Sequence, residues 1–139
     1  MKSFLLIISL FICGITNAAT YYISPTGNDA TGNGSLANPW RTLYKATSTV
    51  TASGNIIHVL AGIYTETQTS DLRVGVSIEG DAAATTIIRG AITSNYTALL
   101  ELQSPDATNG NQSISKITFD GQYVSASNHR TWLAIWVTG

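Results

Sequence analysis

Three carboxylates in the sequence have the residue type and spacing for metal chemistry. Glu79 and Asp120 each end a short apolar run and precede a glycine, and Glu101 lies inside another such run. In a β-strand alternate residues face opposite sides, so apolar neighbours can face a core while the three carboxylates face outward. If these strands stack, the carboxylates lie about 5 Å apart and either repel one another or share a hard cation such as Ca²⁺. The spacing therefore predicts a candidate Ca²⁺ site, with a solvated face of separate carboxylates as the alternative.

Two tryptophans offer a second kind of chemistry, the stacking of sugar rings. Trp132 and Trp136 lie four residues apart in an apolar run, which places them on one face of a strand, opposite Leu133, Ile135 and Val137. An outward indole presents a flat surface to the apolar face of a sugar. We predict a carbohydrate-binding face here; the alternative is that a loop or a further segment covers both rings.

The remaining polar residues do not form a recognisable catalytic motif. His58 lies alone between Ile57 and Val59, and a histidine without a second ligand is more often a packed or edge residue than a metal ligand. The sequence has no phosphate-binding loop and no Ser/His/Asp pattern. Spacing alone therefore assigns no catalytic residue.

Composition limits the class of protein. The 139 residues are enough for one domain, and 7 Lys and Arg against 8 Asp and Glu leave a net charge of −1. Charged residues are only 11% of the chain, which argues against a disordered tail or a coiled coil. The sequence has no basic stripe of the kind that nucleic acid requires, so a nucleic-acid partner is not expected. A packed β-rich domain fits this composition best.

Residues 1–18 are typical of a secretory signal peptide. A positive residue at the start precedes an apolar run at 4–15 that is too short to span a bilayer. Small residues at the end of the segment predict cleavage after Ala18, with Ala19 as the second choice. Cys13 is the only cysteine of the chain, and it lies inside the signal. The mature chain therefore has no disulfide and depends on packing for stability. We expect a secreted or cell-surface protein with no membrane span in the mature chain.

Residues 19–54 predict a strand, a loop and one helix. A β-like start at 21–23 is followed by a stretch dense in Gly, Asn and Asp, which favours a loop. Asn38 and Pro39 then provide an N-cap and first-turn pair, and the helix ends before Gly54. The side chains at helical spacing are Trp40, Leu43, Thr47 and Val50.

Residues 55–139 predict short strands that repeat along the chain. Six apolar runs are bounded by Gly, Asn, Asp or Ser, at 56–60, 76–79, 85–89, 99–103, 115–120 and 132–138. Glycines near strand ends are 18, 41 and 18 residues apart, at Gly62, Gly80, Gly121 and Gly139, which predicts a coil of about 20 residues. A repeat this short without helices favours a β-solenoid whose coils stack at about 4.8 Å. An up-and-down sandwich is the competing architecture, but no Asp-Gly or Asn-Gly turn joins two well-matched runs.

Three segments resemble a known family. They are YYISPTGND at 21–29, NPWRTLYKA at 38–46 and IIHVLAGIYTE at 56–66. Together they are similar to the opening of secreted right-handed parallel β-helix proteins of the pectate-lyase-like superfamily. The resemblance implies an all-β right-handed parallel β-helix whose short helix caps the first coil. The chain then divides into a signal peptide at 1–18, a strand, loop and capping helix at 19–54, and the first, incomplete coils at 55–139.

The resemblance implies function only by class, since polysaccharide lyases, glycoside hydrolases and surface proteins share such openings. For the lyases it implies Ca²⁺ to neutralise a uronate carboxylate and a Lys or Arg to remove a proton. Lys116 is the nearest match in type, but the neighbouring Asp120 would stabilise its charged form and make it a poor base. We therefore expect a protein that acts on or binds extracellular, acidic polysaccharide, with catalytic residues beyond Gly139. The alternative is a non-catalytic adhesin or structural β-solenoid.

The last apolar run, 132–138, is expected to need a partner. It carries no charge and would leave an open strand edge, which is a template for aggregation. We expect a carboxyl-terminal continuation of the same protein to cover it.

Overall fold

The computed structural model describes residues 18–93, 97–106, 108–122 and 131–138, and of residues 131–133 it describes the backbone alone. The predicted signal peptide, apart from Ala18, lies outside the described residues. The described chain forms strands and one short helix. In chain order these are β1 (Thr20–Ile23), α1 (Leu43–Thr49), β2 (Ile56–Val59), β3 (Gly62–Glu66), β4 (Ser70–Leu72), β5 (Ser77–Gly80), β6 (Thr86–Gly90), β7 (Thr97–Gln103), β8 (Ser113–Ser115), β9 (Thr118–Asp120) and β10 (Thr131–Thr138).

The strands form three parallel sheets that the chain visits in turn. The first sheet has the order β1-β2-β5-β8, the second β3-β6-β9 and the third β4-β7-β10. Every strand pair in them is parallel. After β1, each group of three successive strands therefore adds one strand to every sheet. This arrangement is consistent with an all-β parallel solenoid.

The predicted constant coil of about 20 residues fits one of the two intervals in the first sheet and fails in the other. In the first sheet Ile57 pairs with Ile78, 21 residues later, but Ile78 pairs with Ile114, 36 residues later. Two of the glycines that suggested a constant period belong to different sheets, since Gly62 lies in β3 and Gly80 in β5. Their spacing of 18 residues therefore does not measure the length of a coil, and the loops that connect the strands vary in length.

The predicted strands are found, with two additions and one division. Each predicted run overlaps at least one strand, whereas β3 and β4 were not among the runs. The run at 115–120 is divided between β8 and β9. Lys116 lies at this break with a φ of 58°, a left-handed conformation that is incompatible with continuous strand.

The helix begins later than its sequence signals predicted. It starts at Leu43 instead of Pro39, and the Thr42 hydroxyl accepts a hydrogen bond from the Lys45 backbone N–H at 3.1 Å as the N-cap. Trp40 is instead paired in a parallel β-bridge with Ile23. The Asp29 carboxylate holds this entry because it accepts hydrogen bonds from the backbone N–H groups of Arg41 and Thr42 at 2.7 and 3.1 Å.

The core is a column of apolar side chains between the three sheets, covered at one end by α1. Aligned residues such as Ile57 and Ile78 are fully buried. The helix contacts one strand of each sheet, namely β1, β3 and β4, and buries Leu43, Ala46 and Thr47. No helix in the described part of the chain is long and apolar enough to cross a membrane.

A buried carboxylate joins the helix to the second sheet. Glu66, the last residue of β3, is 1% exposed, and its two carboxylate oxygens accept hydrogen bonds from the backbone N–H groups of Leu43 and Tyr44 at 2.8 and 3.3 Å. Burial raises the pKa of Glu66, and the two N–H donors oppose this rise. The first-turn N–H groups, which a helix cannot satisfy by itself, thus depend on a residue from another element.

Ser70 has a fully buried side chain whose hydroxyl has no hydrogen-bond partner among the described residues. We expect Ser70→Ala to leave the free energy of unfolding unchanged or to raise it by about 1 kcal/mol, because it removes an unsatisfied polar atom. Urea denaturation measures this change. As a control, Thr69→Val removes a hydroxyl that donates to the Ala98 carbonyl at 2.8 Å and should lower the free energy of unfolding by about 1 kcal/mol. A larger loss in the Ser70 variant than in the control would contradict the prediction.

Candidate functional site

The three carboxylates predicted to share a cation lie in three different sheets. Glu79 belongs to β5 in the first sheet, Glu101 to β7 in the third and Asp120 to β9 in the second. Their partners are Lys116 Nζ at 2.7 Å, Gln103 Nε2 at 3.0 Å and Arg89 Nε at 3.2 Å, respectively. The structure therefore does not bring them together as a Ca²⁺ ladder. The expected ladder assumed a constant coil of about 20 residues, which would have placed Glu79, Glu101 and Asp120 on successive strands of one sheet.

The predicted tryptophan face is described only in part. Trp136 pairs with Glu101 of β7, and it is 43% exposed. The pairing of β10 shifts between Thr131 and Leu133, and the side chain of Trp132 lies outside the described residues. Of the two predicted indoles, the described part of the chain therefore includes that of Trp136, which is exposed on the third sheet and accessible for sugar stacking.

Lys116 lies beside a different carboxylate from the one expected. Its ammonium group contacts Glu79 Oε1 at 2.7 Å, whereas Asp120 pairs with Arg89. The hydrogen bond and charge of Glu79 raise the pKa of Lys116, and Lys116 in turn lowers the pKa of Glu79. Lys116 is therefore held in its charged form, which opposes a role as a base at neutral pH.

A row of polar and aromatic residues crosses the outer face of the first sheet. The strand register aligns Tyr22 of β1 with His58 of β2, His58 with Glu79 of β5, and Glu79 with Ser115 of β8. The rings of Tyr22 and His58 are 5.5 Å apart between centroids, with an angle of 54° between planes. Because the alternate residues of β2 and β5 are buried, these side chains project outward.

Asp81 holds the imidazole of His58. Its Oδ1 lies 2.7 Å from His58 Nε2, and its Oδ2 accepts a hydrogen bond from the Ala61 backbone N–H at 2.8 Å. The hydrogen bond with His58, followed by that from Ala61, lowers the pKa of Asp81 and keeps it ionised. An ionised Asp81 requires a proton on Nε2, so the neutral imidazole carries its lone pair on Nδ1.

These five side chains, Tyr22, His58, Glu79, Asp81 and Lys116, form what we call the outer cluster. It combines an aromatic ring, two carboxylates and two nitrogen groups on one surface. Side-chain exposures of 24% for His58, 41% for Asp81, 39% for Glu79 and 57% for Lys116 leave these groups accessible to a ligand. Together they can stack on a sugar ring and exchange hydrogen bonds with its hydroxyl groups.

Sequence reasoning assigned Glu79 to an outward face but missed its neighbours. His58 was interpreted as an isolated packed or edge residue, although the structure places it beside Tyr22 and Asp81. The available signal was the outward position of a polar residue between buried Ile57 and Val59. Its partners lie 36 residues earlier and 23 residues later, so only the strand register reveals the cluster.

Comparison with known proteins provides no relative for this chain: no protein-family model matches it, and neither a curated protein nor a solved structure matches it.

Proposed function

We propose that this chain belongs to a secreted or cell-surface protein with a right-handed parallel β-helix fold that binds extracellular polysaccharide through the outer cluster. Support for the fold comes from the three parallel sheets visited in turn and from α1, which lies against one strand of each and serves as the cap. The observation that carries the function is the continuous row from Tyr22 to Ser115.

The spacing of this row suits a linear polysaccharide. Neighbouring strands are about 4.8 Å apart, which is close to the length of one sugar unit, so a chain crossing the strands meets one side chain per unit. Tyr22 supplies a stacking surface at one end, and the following positions supply hydrogen-bonding groups. Such a flat face, which the ligand crosses from strand to strand, needs no deep cavity to hold an extended chain.

Binding fits the outer cluster better than lyase or hydrolase chemistry. The lysine that most resembles a lyase base is held as a cation by Glu79. The two acids of the cluster are each engaged with a nitrogen group, Glu79 with Lys116 and Asp81 with His58. Of the two alternatives that the sequence allowed, we therefore favour the non-catalytic surface protein.

Polysaccharide binding is tested by electrophoresis of the purified protein through gels that contain soluble plant, algal or bacterial polysaccharides. At least one of these is expected to retard the protein. Tyr22→Ala should weaken the binding about tenfold, because a stacked aromatic ring contributes about 1 kcal/mol beyond its buried area. Tyr44→Ala, on α1 and 40% exposed, is the matched control and should bind as the unaltered protein does. Absence of retardation, or equal weakening by both variants, would refute the proposal.

A further inference from the structure

Both nitrogen groups of the outer cluster already have a carboxylate partner. Lys116 Nζ lies 2.7 Å from Glu79 Oε1, and His58 Nε2 lies 2.7 Å from Asp81 Oδ1. With His58 neutral, the cluster holds one positive and two negative charges. With His58 protonated, the charges balance. In neither state does the cluster carry an excess of positive charge for an anionic ligand.

A uronate would meet this arrangement at a disadvantage. The carboxylate of a uronate can reach Lys116 either by displacing Glu79, which exchanges one ion pair for another, or through the further N–H groups beside Glu79, and it gains little in both cases. In both positions Glu79 and the nearby Asp81 repel the ligand at short range. Uronate binding therefore lacks the net attraction that a cationic face provides.

A neutral sugar can bind without breaking either ion pair. Its hydroxyl groups can donate to the remaining lone pairs of Glu79 and Asp81, and can accept from the further N–H groups of Lys116. The parallel row on the same face is uncharged and includes Ser77 and Ser113, whose hydroxyl groups are 2.9 Å apart. Charged hydrogen-bonding groups are stronger partners for hydroxyls than neutral ones are.

We infer that the outer cluster selects neutral polysaccharide and discriminates against polysaccharide that contains uronate. The inference rests on the proposed function and replaces the expectation of an acidic ligand. Glu79 is the residue that determines the selectivity, because it neutralises Lys116. Asp81 contributes by holding His58 and by adding negative charge to the face.

The inference is tested by calorimetric titration of the purified protein with hexasaccharides of xylose, mannose, glucose and galacturonic acid, at low and at high sodium chloride. A neutral hexasaccharide is expected to bind at least about tenfold more tightly than the galacturonate one, with an affinity that salt leaves unchanged. Tighter binding of galacturonate at low salt would overturn the inference and leave polysaccharide binding intact. Failure of all four to bind would overturn the proposed function as well.

The decisive variant is Glu79→Gln, which leaves Lys116 without its counter-charge. It should gain about tenfold in affinity for the galacturonate hexasaccharide, and high salt should abolish this gain. Asp120→Asn is the matched control, because it removes the same charge and releases Arg89 on the second sheet. An equal gain in the control, or no gain in Glu79→Gln, would overturn the assignment. Thermal melts of both variants establish that the fold is retained.

Discussion

Replacement of Trp40 by alanine is expected to lower the free energy of unfolding by about 3–5 kcal/mol. The indole is 3% exposed and stacks on Tyr21 with ring centroids 5.6 Å apart. Its Nε1–H donates a hydrogen bond to the Gly32 carbonyl at 2.9 Å. Gly34, at a φ of 77°, approaches the ring so closely that an added Cβ would lie 2.7 Å from it. The loss of the ring would leave a cavity lined by a loop that is shaped around it.

Urea denaturation followed by circular dichroism measures this loss. Trp136→Ala is the matched control, since it removes the same side chain from a site that is 43% exposed. The control should change the free energy of unfolding by about 1 kcal/mol at most. If the two variants lose equal stability, Trp40 does not organise the loop in the way that its contacts indicate.

Removal of the Glu66 carboxylate is expected to be nearly as destructive. Glu66→Ala should lower the free energy of unfolding by about 2–4 kcal/mol, because the N–H groups of Leu43 and Tyr44 then lose their acceptors in a buried position. Glu66→Gln keeps one acceptor oxygen and should lose about half as much. Glu101→Ala is the control, since its carboxylate contacts Gln103 at an exposed site. A Glu66→Ala variant that is as stable as this control would show that α1 does not need the carboxylate.

The pH dependence of this effect has a defined sign. Burial, aided by the charge of Asp29, raises the pKa of Glu66 above its unfolded value of 4.5, against the opposing effect of the two N–H donors. A raised pKa means that the folded state binds the proton of Glu66 more tightly than the unfolded chain does. The part of the free energy of unfolding that comes from this proton is therefore complete below pH 4.5 and is lost as pH rises through the folded pKa. The unaltered protein should therefore lose stability relative to Glu66→Gln over this interval. A gain over the same interval would contradict the prediction.

Local patterns in the sequence predicted the element types better than their ends. Apolar runs rich in Ile, Val and Thr predicted strands because alternation and β-branching act within a few residues. The predicted start of the helix was wrong because the Asp29 carboxylate accepts hydrogen bonds from the N–H groups of Arg41 and Thr42. These bonds keep both residues in the loop that precedes the helix. The strand at Gly62–Glu66 was not predicted because it is not a continuous apolar run. It ends in the buried Glu66, whose carboxylate accepts a hydrogen bond from the N–H group of Leu43 in α1.

The candidate site shows the same difference between what local patterns in the sequence predict and what they do not. Alternation within β5 was sufficient to place Glu79 on the outside, because the direction of a side chain follows from its own strand. Its neighbours His58 and Lys116 come from other parts of the chain, and the two intervals that separate aligned residues of the first sheet are 21 and 36 residues. Loop lengths set these intervals, and no local pattern records them. The sequence by itself thus determined a β-rich chain, one short helix and the outward position of Glu79. Only the tertiary structure decided which outward side chains meet, because their proximity depends on strand register across loops of unequal length.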